Sequence, residues 1–297
     1  MRKGTSVFCI FMLVVLGESS VFAWGAAAHR FVMRRAIDLL PPEIKPFFVH
    51  YRDELVIRVN DPDIWRTAGW DDAPNHFVNF GVSEFGPYPF AALPRELGAA
   101  LEKFGMATLK RNGLLPWRTA EESGNLRRAF EGFRRDRQSA PGDTVLFSAV
   151  VAHYVQDATQ PLHATNNYDG QLTGQLGVHA RFESALFERF ESRLTVTPAP
   201  PKPMSSARDA TFDALLEGYR LVAPLLEADK QAIAGKDVYD DEYFEKFFAK
   251  VKPMLDEQLS SAISNTVAIV VNAWSQSGKP ELRTEMPRRA ERVRPSR

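Results

Sequence analysis

Five of the six histidines in this chain form, with Asp63, Asp157 and Glu183, a pattern that a packed core does not require. The set begins at Trp24-Gly-Ala-Ala-Ala-His29 and continues with Asp63 and His76. It ends with His153-Tyr-Val-Gln-Asp157, Pro-Leu-His163 and His179-Ala-Arg-Phe-Glu183. Imidazole and carboxylate groups in such numbers are divalent-cation ligands. A chain that uses them together must fold so that five separate segments meet.

The spacing within the segments is informative. His153 and Asp157 lie four apart on an expected helix, which puts both side chains on one face, one turn apart. His179 and Glu183 repeat the arrangement on a second helix. Either pair alone reads first as a helix-face hydrogen bond or ion pair. Two such pairs, with His163 brought back toward the first helix by Pro161, weaken that explanation. His76, in N-H-F-V-N-F, taken alone reads as a packed, hydrogen-bonded histidine. The acidic stretch before it, Asp61-Pro62-Asp63, reads alone as turn formers or an N-cap. His50 has no partner at ligand spacing and stays outside the set, as a helix-surface or core residue. The chain contains no H-E-x-x-H, no G-x-S-x-G and no glycine-rich phosphate loop, so metal-assisted hydrolysis is the chemistry left.

The first 23 residues read as a secretory signal. Arg2 and Lys3 are the charged start, Val7 to Leu16 the apolar stretch, and Val21-Phe22-Ala23 the small-x-small cleavage site. The apolar run is too short for a membrane anchor, so no transmembrane anchor is expected after cleavage, and the expected location is secreted or periplasmic. Cys9, the only cysteine, lies in this leader, so disulfides cannot stabilise the remainder. The 37 basic and 37 acidic side chains balance, which argues against coating duplex nucleic acid or an anionic membrane by bulk charge. The pattern implies no stable protein partner.

The rest of the chain is expected to be all-α, with no segment of sustained alternation. Helices are expected over Ala26–Leu40, Glu43–Val59, Thr144–Ala158, Val178–Leu194, Ala207–Ala234 and Asp241–Gln276. Val82 to Pro94 is a loop rich in Pro, Gly and aromatics, either a substrate wall or an ordinary packed loop. Thr195 to Pro203 is a proline-rich excursion within one domain, taken to span residues 24–278. Lys279 to Arg297 is charged, poor in large apolar residues and expected to be disordered.

On the block H-Y-V-Q-D-A-T-Q-P-L-H, and on a tryptophan at the cleavage site with a histidine shortly after it, the chain resembles the zinc-dependent phospholipase C and S1/P1 nuclease superfamily. The resemblance covers Trp24 to Glu183 by motif. It implies a single, mainly helical domain with three zinc ions at the bottom of a cleft. One zinc would take Asp63, His76, His153 and Asp157, and a second His163, His179 and Glu183. The third would take the freed amine and carbonyl of Trp24, with His29 and a bridging Asp157. A hydroxide held between paired metals would then attack phosphorus in line. Asp61 and Asp63 are both candidates on the residues alone. The family's arginine, three residues after the metal-binding Asp, selects Asp63 and makes Arg66 the group that neutralises charge on phosphorus. Asp63, Arg66 and Asp157 are thus the implied catalytic residues.

The substrate implied is a phosphodiester, either a phospholipid headgroup or a single-stranded nucleic acid. The short Trp24-to-His29 gap resembles the nuclease branch, and Phe77 stands where a nuclease phenylalanine stacks on a base. Asn79, however, replaces the acidic base-binding residue, and Glu183 ends its motif as in the phospholipases. The alternative reading is a helical binding protein with a structural metal. Structural zinc sites favour cysteine, which the processed chain lacks.

Overall fold

The computed structural model describes residues 24–287. The expected signal sequence, with Cys9, and residues 288–297 of the expected tail lie outside them. The described residues contain helices and no strand, as the absence of alternating segments implied. None of these helices is long and apolar enough to cross a membrane.

Helix α1 (Ala26–Leu39) buries Ala28, His29, Val32, Met33, Ala36 and Ile37 on one stripe, the helical period expected from its sequence. It stops where Leu40, preceding Pro41, turns extended at ψ 148°, because the proline ring disfavours helical backbone before it. The helix expected over Glu43–Val59 is two: α2 (Lys45–His50) and α3 (Arg52–Arg58). The break is Tyr51 (ψ 18°), whose ring packs 4.9 Å from Phe47 and whose hydroxyl donates to the Thr284 carbonyl. His50 is exposed on this surface. The acidic stretch expected as a turn or cap forms the first turn of α4 (Asp61–Thr67), with Pro62 near its start, where a missing N–H costs nothing.

Two helices carry no expectation from the sequence. Helix α5 (Leu97–Asn112) is interrupted at Gly105, at φ 72° and ψ 157°, a conformation that glycine tolerates. Helix α6 (Leu115–Arg134) buries Leu126, Phe130 and Phe133. The turn between them needs Gly113, since a Cβ there would sit 2.0 Å from the Phe77 carbonyl oxygen.

Helix α7 (Ala140–Asp157) begins four residues before the expected Thr144, because Pro141 belongs to its first turn. It is buried on nearly every face from Thr144 onward and packs against α6, α3, α1 and the last helix. The helix ends at Asp157, and Pro161 instead opens a short 3₁₀ turn, Pro161–Ala164. The segment expected as one helix over Val178–Leu194 changes pitch. It runs as α8 (Val178–Ala180), a π-helical turn (Arg181–Ala185), α9 (Leu186–Phe190) and a 3₁₀ turn (Glu191–Arg193). Helix α10 spans Ala207–Ile233, capped by the Ser206 hydroxyl. Helix α11 has the expected bounds, Asp241–Gln276, and is capped by the Asp240 carboxylate.

One core joins α1, α3, α6, α7, α9 and α11, with Phe130, Phe133, Phe182, Phe187 and Phe247 among its side chains. Each such side chain contributes about 1.5–3 kcal/mol on burial. The second core takes Phe85, Phe90 and Leu93 from the 82–94 loop, with Phe80 and Phe90 stacked at 4.5 Å. That loop is therefore packed through its aromatics. The proline-rich excursion is tied to α11 by Thr195 N–H on Asp256, Thr197 N–H on Ser260 and Ser264 on the Ala199 carbonyl. Residues 279–287, assigned to a disordered tail on composition, lie against the body instead. Leu282 and Met286 pack on the core, and the Pro280 and Thr284 carbonyls accept from Trp274 and Tyr51.

Candidate metal centre

The C-terminal end of α7 delivers His153 and Asp157 to a fully buried point. Helix α1 brings His29, α4 brings Asp63, and the 3₁₀ turn Ala73–His76 brings His76. The turn after α7 returns His163 toward Asp157, and the α8–π segment adds His179 and Glu183. Three buried groups result: His29, His153 and Asp157; Asp63, His76 and His153; and His163, His179 and Glu183. Asp157 links them. Its oxygens lie 3.3 Å from His29 Nε2, 2.9 Å from His76 Nδ1, 3.2 Å from His153 Nε2 and 3.9 Å from His163 Nδ1.

Asp63, not Asp61, enters the centre. Its carboxylate is buried 3.9 Å from His76 Nδ1 and 3.5 Å from Arg66 Nη2. Asp61 is in none of these groups and pairs with Arg58 at 3.2 Å. Trp24 is fully buried, its indole N–H donating to Thr159 Oγ1 at 3.2 Å and its ring 5.9 Å from Phe182. This places it beside the strand of chain that follows Asp157. Phe77 and Asn79 are fixed to the α5–α6 turn: the Phe77 carbonyl accepts from Leu115 N–H, and the Asn79 amide donates to the Arg111 carbonyl at 3.3 Å.

The outward nitrogens of four imidazoles are held by acceptors. His153 Nδ1 donates to the Val59 carbonyl at 2.8 Å, and His179 Nδ1 to the Tyr168 carbonyl at 2.9 Å. His29 Nδ1 meets Gln156 Oε1 at 2.6 Å, and His76 Nε2 meets the Asp72 carboxylate at 3.0 Å. A carbonyl only accepts, so in the neutral ring the proton is outside and the lone pair points inward. Those lone pairs face other acceptors. His76 Nδ1 stands 3.1 Å from His153 Nε2, and His163 Nε2 stands 3.2 Å from His179 Nε2. Both oxygens of Asp63, with Asp157 Oδ1 and His29 Nε2, are buried without a well-aligned hydrogen bond.

An arrangement of converging acceptors is stable only with protons or cations between them. Without a cation, protons are drawn in. Burial alone would lower His76, but its bonds to Asp157 and Asp72 outweigh this and raise it to about 9. Burial pushes Glu183 up to about 7 against the pull of His179 and Gln160. Asp157 is held well below its usual range: burial opposes this, and His153, His29 and His76 together prevail. A divalent cation fits the same geometry. Ligand atoms bound at about 2.0–2.1 Å around a tetrahedral ion stand about 3.3 Å apart. The inward atoms of each group here lie within 4.8 Å of one another, the nearest pair, His179 Nε2 and Glu183 Oε2, at 2.8 Å.

Several residues that shape the centre carry no sequence expectation. Asp72 holds His76 and accepts from the Tyr154 hydroxyl at 2.9 Å. Its signal was its position four residues before His76, the separation also seen between His153 and Asp157. Gln160 donates to Glu183 Oε2 at 3.0 Å and borders His179. Gln156 spans His29 and Thr266 on α11. Compared with models of known families and with curated protein sequences, the chain matches none.

Proposed function

We propose that this chain is a secreted or periplasmic zinc-dependent phosphodiester hydrolase, of the phospholipase C and S1/P1 nuclease type, holding three zinc ions. The observation that carries the reading is the convergence of buried imidazole lone pairs and carboxylate oxygens in three linked groups. The donor set is all nitrogen and oxygen, which suits a catalytic rather than a closed cysteine site. Bound there, zinc supplies Lewis acidity and a water whose pKa is brought toward neutrality.

The chain's own residues do the rest. Asp157, within 4 Å of four histidines, would set the separation of the groups it joins. Gln156, Asp72, Val59 and Tyr168 hold four imidazoles in the tautomer that leaves the inner nitrogen free to bind. Arg66, 3.5 Å from Asp63 on α4, would offset negative charge on a phosphoryl group at the edge of the centre.

The test is a parallel assay of protein beginning at Trp24 on a chromogenic phosphocholine ester, phosphatidylcholine vesicles, single-stranded DNA and RNA. It is run with chelator and after zinc is restored. Hydrolysis of one substrate class, abolished by chelator and recovered with zinc, is expected. Zinc-loaded protein inert on all four would overturn the reading and favour a structural metal.

A further inference from the structure

The segment carrying His179 and Glu183 is gripped from behind by a buried arginine. Arg181 lies two residues from each ligand, so on a helical path it points away from the face they share. Arg181 is 8% exposed, and Asp229 of α10 is fully buried. Arg181 Nε donates to Asp229 Oδ1 at 3.2 Å and to the Tyr243 hydroxyl at 3.0 Å. Nη2 donates to both Asp229 oxygens, at 3.1 and 3.2 Å, and to the Gln175 carbonyl at 3.2 Å. Nη1 donates to the Leu176 carbonyl at 2.8 Å. The Tyr239 ring covers the guanidinium at 3.9 Å. Asp229 also accepts from the Gln175 amide at 2.7 Å and from the Tyr243 hydroxyl.

One side chain thus joins the π-helical turn, the 165–177 loop, α10 and α11. The loop is also what aims His179. Its Tyr168 carbonyl accepts from His179 Nδ1, and its Asp169 carboxylate accepts from the His179 backbone N–H at 3.2 Å. We infer that Arg181 and Asp229 are positioning residues of the His163–His179–Glu183 cluster. The pair locks the loop and the π-helical turn together, so that His179 Nε2 and Glu183 Oε2, 2.8 Å apart, meet the same cation. This rests on the reading that the cluster binds a divalent cation. Stability alone is a weak reason for such a pair, because an apolar pair of similar volume often stabilises a fold as well. An apolar pair cannot hold the Gln175 and Leu176 carbonyls.

That difference supplies the experiment. Zinc affinities are measured by chelator competition in wild type, Glu183→Gln, and the double variant Arg181→Met with Asp229→Leu. The double variant should keep its helical circular dichroism and cooperative melting. It should bind one zinc about tenfold or more weakly, in the range expected for loss of outer partners, and it should be the same equivalent that Glu183→Gln loses. Affinity within about threefold of wild type would overturn the inference. If the double variant does not fold, Tyr243→Phe, which removes one hydroxyl from the pair, should weaken that same equivalent and leave the others unchanged. An unchanged equivalent there also overturns it. A wild-type protein that binds no zinc lost on Glu183→Gln refutes the reading of the cluster itself, and the inference with it.

Discussion

On the proposed function, protons and zinc compete for the same atoms in this centre, and the competition has a calculable size. In the metal-free protein His76 is raised to about 9, so at pH 7 its inner nitrogen carries a proton that a cation must displace. A gap of two pH units is a factor of about one hundred, or about 3 kcal/mol of lost binding energy. Zinc affinity at this position should therefore rise about tenfold per pH unit from about pH 6 upward and level near pH 9. Glu183, raised to about 7, imposes the same competition on its own cluster, with its share over near neutrality. The effect on stability has a definite sign. Both groups bind protons more tightly in the metal-free fold than their ordinary values of 6.5 and 4.5 imply. Their contribution is complete below pH 4.5 for Glu183 and below pH 6.5 for His76. It is lost as pH rises through about 7 and about 9 respectively, at about 3 kcal/mol each. Metal-free protein should thus weaken over this interval, and the Tm difference between zinc-loaded and chelated protein should widen. Chelator-competition titrations and melts at about pH 6, 7 and 8 measure both. Equal affinity at the two ends, or a Tm gap that narrows with rising pH, would refute the reasoning.

Asp157→Asn removes the carboxylate that joins the groups, and should lower zinc content by more than one ion and activity by orders of magnitude, whereas exposed His50→Ala should change neither. Elemental analysis beside turnover distinguishes them. Asp72→Asn keeps the shape but removes the charge behind His76, so zinc affinity there should fall about 10–100-fold with the fold retained, read by the same titration. An extra glycine before Trp24 should lower zinc content at the His29 position and most of the activity; equal content and turnover with and without it would exclude the amino terminus from the centre. Chelation of the wild type should lower its Tm, and restored zinc should recover it, by the linkage of binding to folding.

What the sequence discloses about this molecule depends on whether a feature has a residue-type signature. The candidate ligands do: histidine and carboxylate at four-residue separation place His153 with Asp157, and His179 with Glu183, on shared faces, and the structure brings both pairs inward. Long amphipathic helices do too, which is why the bounds of α11 were readable to the residue. Helices α5 and α6 were not, since Gly105 interrupts one and few apolar residues mark the other before Leu126. The π-helical turn at Arg181–Ala185 has no signature of its own.

The orientation of the ligands divides along the same line. Asp72 behind His76 is a side chain and could have been found by its spacing. The acceptors behind His153 and His179 are the main-chain carbonyls of Val59 and Tyr168, which any residue would supply. They exist only because α3 ends where it does and because Arg181 holds the loop bearing Tyr168. The aim of these two imidazoles is therefore sensitive to whatever moves the backbone, and for His179 the side chain that can do so is Arg181, which binds the Gln175 and Leu176 carbonyls in the same loop as Tyr168.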